Sequence, residues 1–313
     1  MNSVKHVFGP VPSRRLGISL GVDIVPFKTC SLDCIYCECG KTTSISLERR
    51  SFVPVDAILR EVAKAVEGDH YIEYITFSGS GEPTLNKDIG AIITGIKAIT
   101  DIPVAVLTNG TLLFMEDVRD ALSAADLVLP SLDAATPEAF KHINRPHKDL
   151  DLEQVIQGLV DFSSAFSGQL WVEVFIVAGV NDSGSELDRL QAILKKINPT
   201  RVQLNSLDRP PAYDNVLPVD TTILREIETK WNDLPVEVIK RVRERGEIAA
   251  FSRNLENSIL NTVNRRPLTI EDLVTLTGKN RVELFKYIDI LEKEKKIYAR
   301  IVGNRIFYAP VTQ

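Results

Sequence analysis

Apolar positions along the first 240 residues follow two rhythms in turn. Short continuous runs rich in β-branched and aromatic residues stop at Gly, Pro, Asn or Asp, as strands do. Ile18–Val25, Tyr71–Phe77, Pro103–Leu107, Leu127–Leu132, Leu170–Val177 and Arg201–Leu204 are of this kind. Between them apolar residues recur every three or four positions, the spacing of one helix face: Ile58, Leu59, Val62 and Val66 are an example. Helices are predicted over Val55–Val66, Ile89–Ile99, Met115–Ala124, Leu152–Phe162, Ser185–Ile197 and Thr221–Trp231. Six strand–helix units imply a parallel sheet with helices outside, and the expected fold is α/β, a partial TIM-type (β/α)6 barrel over residues 1–245. Residues with chemistry to offer follow the strands repeatedly, at the edge that carries the active site in α/β barrels.

Beyond Phe251 the pattern changes. Asn254–Val263, Thr269–Leu276 and Arg281–Glu294 read as helices, and Tyr298–Val302 with Arg305–Ala309 as a hairpin about Gly303-Asn304. Three helices and a hairpin predict a small winged-helix domain over 252–313. Eleven basic against seven acidic residues leave this tail at +4, while the whole chain is at −5 and the remainder at −9. A winged helix implies either nucleic-acid binding, through Lys279, Arg281, Lys286, Arg300 and Arg305, or a docking role.

Composition narrows the class. The hydrophobic and charged fractions, 44% and 25%, are those of an ordinary globular protein. No run approaches the roughly 18 apolar residues of a membrane span, and MNSVKHVFGPVPSRRLG lacks the apolar stretch of a signal peptide. A cytoplasmic location and no membrane partner are the expectation. Thiols stay reduced there, so clustered cysteines point to metal or catalysis.

All 4 cysteines fall in one short stretch, KTCSLDCIYCECGKTT from residue 28 to 43. A structural zinc site draws two pairs of ligands from separate turns, and this spacing would strain it. A redox pair, Cys34 and Cys37, leaves Cys30 and Cys39 without a purpose. Cys30, Cys34 and Cys37 on one loop can instead hold three irons of a 4Fe–4S cubane, with the fourth iron open to an outside ligand. An open iron can be chelated by S-adenosylmethionine, whose reductive cleavage releases a 5′-deoxyadenosyl radical.

CSLDCIYC resembles the Cys-x3-Cys-x-aromatic-Cys signature of the radical S-adenosylmethionine superfamily. Further landmarks follow in order. Ser78-Gly79-Ser80-Gly81-Glu82-Pro83 is similar to that family's Gly-Gly-Glu-Pro loop, with Ser80 where Gly is common. Thr108-Asn109-Gly110 resembles the turn after its third strand, and Ser131-Leu132-Asp133-Ala134 the ribose-contacting end of its fourth. Glu173–Asn181 resembles its fifth-strand region, and the likeness covers roughly residues 8–235. It implies a 4Fe–4S cluster and S-adenosylmethionine as cofactors and Cys30, Cys34 and Cys37 as metal and catalytic residues. Tyr36, Gly79, Ser80, Gly81, Glu82, Asn109, Ser131 and Asp133 are then cofactor-binding candidates. It also implies an unidentified substrate, small or macromolecular, and a one-electron donor such as flavodoxin or ferredoxin.

FGPVPSRRLGISLGVD before the cysteines resembles the subgroup related to the wyosine-tRNA radical enzymes and iron–sulfur oxidoreductases. The tRNA-modifying members carry extra cysteines for a second cluster, which the one spare thiol, Cys39, cannot supply. Arg14, Arg15, Arg145 and Arg209 are candidate anion contacts, Asn205 a candidate ligand at a strand end. The four histidines show no ligand spacing. A rival reading is a non-catalytic nucleic-acid-binding regulator whose iron–sulfur cluster senses oxygen or iron; it leaves the Ser78–Pro83 loop idle.

Overall fold

The computed structural model describes residues 6–67, 71–207, 211–239, 255–256, 259–260, 263, 267–277, 279–302 and 305–311. Its centre is an eight-stranded sheet. β1 (Val7–Ser13) and β2 (Gly17–Val22) form an antiparallel hairpin at one edge. After the short β3 (Thr29–Cys30) and β4 (Ser44–Ile45), the sheet continues with β5 (Tyr74–Phe77), β6 (Val104–Thr108), β7 (Leu127–Pro130), β8 (Gln169–Phe175), β9 (Arg201–Asn205) and β10 (Val236–Val238). The spatial order is β1-β2-β5-β6-β7-β8-β9-β10, and every pairing from β2 onward is parallel. The sheet stays open, with β1 and β10 at opposite edges.

Helices α1 (Val55–Val66), α2 (Ile89–Ile99), α3 (Glu116–Leu122), α4 (Pro137–Ile143), α5 (Leu152–Ala165), α6 (Gly184–Ile197) and α7 (Thr221–Lys230) fill the connections. Strand side chains alternate between faces. Val104, Val106, Val128, Val172 and Val202 join the core that holds Ile58, Ile92, Leu159 and Leu190 of the helices. Ala105, Leu107, Leu127, Leu129 and Trp171 meet Leu16, from the β1–β2 turn, on the other face. Burial on both faces is why these strands read as unbroken apolar runs.

All six predicted strands and helices are present, with ends shifted by a few residues. The helix ends carry their local signals. Asp151 accepts from Gln154 N at 3.1 Å to cap α5, and Asn198 in the left-handed region (φ 51°) closes α6. Five named elements escaped the pattern, among them the two-residue β3 and β4; the other three have a physical reason. β1 holds Pro10 and Pro12, which argue against a strand, but an edge strand tolerates missing donors. β10 has three residues, too few for a period. α4 has seven, announced by Thr136 as cap and Pro137 in its first turn, a signature that periodicity overlooks.

Toward the C-terminus, helices α8 (Ile270–Thr277) and α9 (Arg281–Lys293) precede the antiparallel pair β11 (Ile297–Val302) and β12 (Arg305–Pro310). They surround a core of their own, with Leu273, Leu284, Ile288, Leu291 and Tyr308. Half of the expected helix over Asn254–Val263 falls outside the described residues, as do Gly303-Asn304, His70 and Arg209. Arg281 at the start of α9 lays its guanidinium over the Phe27 ring, 3.7 Å from the centroid. No helix among the described residues is long and apolar enough to cross a membrane.

Candidate functional site

The cysteine segment is a tightly closed loop. Lys28 enters it at φ 56°, and its carbonyl accepts from Thr43 N and Ser44 N at 3.1 and 3.0 Å. Ser46 N reaches Cys30 O at 3.0 Å, so β3 and β4 lie side by side and the chain between them is a closed lobe. Inside the lobe, Cys37 N donates to Cys34 O and Gly40 N to Cys37 O, both at 3.1 Å.

Two neighbours hold the lobe. On one side lies the loop after β5, where Lys28 N donates to Ser80 O (2.9 Å) and Glu82 N to Thr29 O (3.0 Å). A Cβ on Gly81 would overlap the Thr29 carbonyl oxygen, and one on Gly79 the Asp23 carboxylate. These glycines therefore permit close approach between protein segments. Ser80, standing where the family prefers Gly, donates its Oγ to Asp23 Oδ2 at 3.0 Å. On the other side is the exit of α4: Ile35 N donates to Ile143 O (2.9 Å), Asp33 N to Asn144 O (3.0 Å) and His147 N to Ser31 O (2.9 Å).

Donors meet three of the four sulfurs. Asn109 Nδ2 lies 3.4 Å from Cys30 Sγ, Asn144 Nδ2 3.4 Å from Cys34 Sγ and Lys28 Nζ 3.1 Å from Cys37 Sγ. Burial, reinforced by the Glu82 charge, pushes the Cys30 thiol up to about 12. Burial and Asp133 hold Cys34 well above the usual thiol range. Cys37 falls to about 6, through a hydrogen bond with Cys39 and, against burial, the Lys28 ammonium. Lys28 is 3% exposed; burial disfavours its charge, yet the neighbouring cysteines, Cys37 foremost with Cys39 and Cys30, together outweigh that and raise it.

The strand-end residues close the site. Glu82 is 2% exposed and accepts from Thr84 Oγ1 and Thr108 Oγ1 (2.6 Å each), Thr84 N (3.0 Å) and Asn109 N (2.7 Å). Burial raises its pKa while these donors oppose the rise. Asp133 accepts from Tyr36 OH (2.5 Å), Asn144 Nδ2 (2.8 Å) and Phe175 N (2.9 Å). Its carboxyl is pushed up to about 6 by burial despite those bonds. The Tyr36 ring stacks on Phe175, centroids 4.0 Å apart. Ser131 bridges β7 to Glu173, whose Oε1 accepts from Asn205 Nδ2 at 2.9 Å and from Arg15. Arg14 pairs with Glu38 at 3.1 Å.

The structure thus gathers Cys30, Cys34, Cys37, Tyr36, Gly79, Ser80, Gly81, Glu82, Asn109, Ser131 and Asp133 where the cysteine lobe meets the C-terminal ends of β5, β6 and β7. It adds Lys28, Asn144 and Glu173, which single-residue reading passed over. Asn144 had a signal, since it ends α4 just before Arg145 at φ 46° and Pro146.

Among the described residues no three His, Cys, Asp or Glu side chains converge as ligands of one metal ion do. A cubane asks for something else, one thiolate at each of three irons, and the donor set fits that requirement: three thiols on one lobe, each met by an N–H donor able to share thiolate charge.

Comparison with known proteins agrees. The family model described as the radical SAM superfamily matches residues 24–192. A UPF0026 protein of Methanocaldococcus jannaschii is 32% identical over 307 residues, covering 96% of this chain and 94% of that protein. The GTPase Obg of Brachyspira hyodysenteriae is 36% identical over 97% of this chain, which spans 45% of that protein's length. In fold, the chain is similar to a radical SAM methyltransferase from Sphaerobacter thermophilus (TM-score 0.55, 16% identity, 74% of this chain and 70% of that one). It is likewise similar to Streptococcus suis SuiB bound to S-adenosylmethionine (TM-score 0.55, 14% identity, 71% and 51%). With the family model matching more than half of it, over the span from the cysteine lobe into α6, this chain belongs to the radical SAM superfamily, whose members are enzymes that bind a 4Fe–4S cluster and S-adenosylmethionine.

Proposed function

We propose that Cys30, Cys34 and Cys37 bind a single 4Fe–4S cluster, and that the chain uses it to cleave S-adenosylmethionine and abstract hydrogen from a substrate yet to be identified. The observation that carries this reading is the set of N–H donors on the three sulfurs: Asn109 for Cys30, Asn144 for Cys34 and Lys28 for Cys37. When bound, the cluster and S-adenosylmethionine supply a one-electron cleavage to a 5′-deoxyadenosyl radical.

The chain's own residues supply position and dryness. The backbone of Gly79–Glu82, pinned to Thr29 and Asp23, offers fixed polar groups to the methionyl end. Glu82 serves chiefly to fix the turn after β6, since it already answers Thr84, Thr108 and Asn109. The Tyr36–Phe175 stack would offer an apolar plate to the adenine, and Asp133 and Ser131 would offer acceptors to the ribose hydroxyls. Lys28, buried against Cys37, offsets the negative charge that three thiolates bring to one lobe.

For the rest of the chain we infer a partial barrel over 1–245, a winged-helix unit over 252–313 and membership of the wyosine-related subgroup. The separate core of α8, α9 and the hairpin supports the second of these. Nucleic-acid binding by that unit gains no support, because Arg281 is stacked on Phe27 and Lys279 pairs with Glu283 at 2.9 Å. A cluster-bearing regulator is not favoured for a chain whose superfamily consists of enzymes.

The test is anaerobic reconstitution with iron and sulfide, followed by dithionite and S-adenosylmethionine. Release of 5′-deoxyadenosine and methionine is expected. Cys34→Ala should abolish it and Cys39→Ala should retain most of it. Equal loss in both variants would refute the choice of three ligands.

A further inference from the structure

We propose that Lys28 sets the reduction potential of the cluster, its fixed positive charge beside Cys37 favouring the reduced form; this rests on the reading that Cys30, Cys34 and Cys37 hold that cluster. What carries it is a buried cation with no acid for a partner. Lys28 is 3% exposed, and its ammonium donates to Cys37 Sγ at 3.1 Å. Among the described residues no carboxylate forms an ion pair with it. The groups whose charge acts on it most are Cys37, Cys39 and Cys30. An ammonium taken out of water is costly unless an anion answers it. Here the answering charge is that of the sulfurs.

The backbone fixes the charge in place. Lys28 has φ 56°, in the left-handed region that residues other than Gly, Asn and Asp seldom adopt. Its N–H donates to Ser80 O at 2.9 Å, and its carbonyl accepts from Thr43 N at 3.1 Å and Ser44 N at 3.0 Å. Both backbone groups are thus engaged, one by the loop after β5 and one by the far end of the lobe. Glycine would satisfy this conformation with less strain. A lysine there places an ammonium on Cys37, which glycine cannot.

The donors on the three sulfurs differ in kind. Asn109 brings a neutral amide to Cys30 and Asn144 another to Cys34, whereas Lys28 brings a full charge to Cys37. Reduction adds an electron to a group that three thiolates already make anionic. A cation beside it therefore stabilises the reduced form more than the oxidised one, and raises the potential. Amide dipoles act in the same direction and more weakly. Burial strengthens the effect, since solvent and salt screen a buried charge much less than an exposed one. In the step that Lys28 favours, an outside reductant loses one electron and the cluster gains it; no bond breaks, and Lys28 keeps its proton. Lys28 acts through Cys37 and is in that sense a positioning residue.

The experiment is a redox titration of the full, iron-reconstituted chain, with the reduced cluster followed by electron paramagnetic resonance. Lys28→Met keeps an unbranched side chain of similar length, and so makes the same demand on the backbone, but carries no charge. It should shift the reduction equilibrium toward the oxidised form by about tenfold or more, which for a one-electron couple is a midpoint lower by about 59 mV or more. Lys28→Gln, a neutral donor, should fall with Lys28→Met, and Lys28→Arg should lie nearer wild type than either. Equal midpoints in wild type and Lys28→Met would overturn the proposal, as would a Lys28→Gln midpoint equal to wild type. If Lys28→Met takes up no cluster, Lys28→Gln is titrated in its place. If neither neutral variant loads, iron bound by Lys28→Arg supports the need for charge, and none bound shows that packing is what Lys28 supplies and overturns it. A wild type that binds no cluster from iron and sulfide defeats the cluster reading itself, an outcome distinct from equal midpoints in loaded proteins.

Discussion

Gly81 shows what a single residue contributes here. Its missing Cβ is what lets Glu82 N reach Thr29 O, the bond that ties the loop after β5 to the strand leading into Cys30. Gly81→Ala should therefore push the two loops apart. We expect a loss of at least about 1–3 kcal/mol in stability, the usual cost of a clash in a packed region, together with weaker S-adenosylmethionine binding. Equilibrium denaturation and a binding titration would measure both, and a wild-type value in each would contradict the expectation. Asp133 makes a prediction of a different kind. Its carboxyl lies near 6 in the fold against an ordinary 3.8, so the folded state binds the extra proton between those values. Stability from this group is therefore greatest at low pH and falls as pH rises from about 4 to 6, by about 3 kcal/mol for a shift of some two units. Asp133→Asn should remove that slope: the stability of the variant relative to wild type should climb across this interval, read by denaturation of the cluster-free chain at several pH values. A flat difference would mean that Asp133 binds its proton equally in the folded and unfolded chain.

Among the elements, α4 does most to place the site, and it was the hardest to foresee. Its exit carries Asn144 to Cys34 and Asp133, and its entrance is held by Glu186 on α6. Glu186 accepts from Ala135 N at 2.5 Å, Thr136 N at 3.2 Å and Thr136 Oγ1 at 2.9 Å. Removing this buried acceptor leaves two backbone donors without a partner. Glu186→Ala is expected to cost about 2–3 kcal/mol by chemical denaturation and to loosen α4, seen as faster amide exchange over Pro137–Ile143. Unchanged exchange there would show that the helix needs no such tether. The β1–β2 hairpin is a second positioning element. It brings Leu16 onto the sheet face, Arg15 to Glu173 and Arg14 to Glu38 in the cysteine lobe.

At the scale of the molecule, the core around α8, α9 and the hairpin is distinct from the core of the sheet, and specific contacts join the two. The Arg281 guanidinium on Phe27 is one, placed two residues before Thr29 and the lobe. Arg281→Ala should weaken the coupling between the C-terminal helices and the sheet. The expected result is a thermal transition that splits or broadens by calorimetry, with 5′-deoxyadenosine release by dithionite largely kept. A single unshifted transition would show that the two cores are coupled by other means.

The cysteine spacing, the glycines after β5 and the polar strand ends were all legible along the chain, because each depends on neighbours within a few residues. So was the alternation of strands and helices, since burial on a repeating geometry leaves a period in the sequence. The partners of those groups were not. Asn144 lies 110 residues from Cys34 and Glu173 lies 158 from Arg15, and no local rule links such pairs. Sequence by itself determined which chemistry could be assembled, through the thiols and turns it contains. Tertiary structure decided which donors face each sulfur and which cations surround the lobe, because those are set by strand order and helix exits, where residues distant along the chain become neighbours.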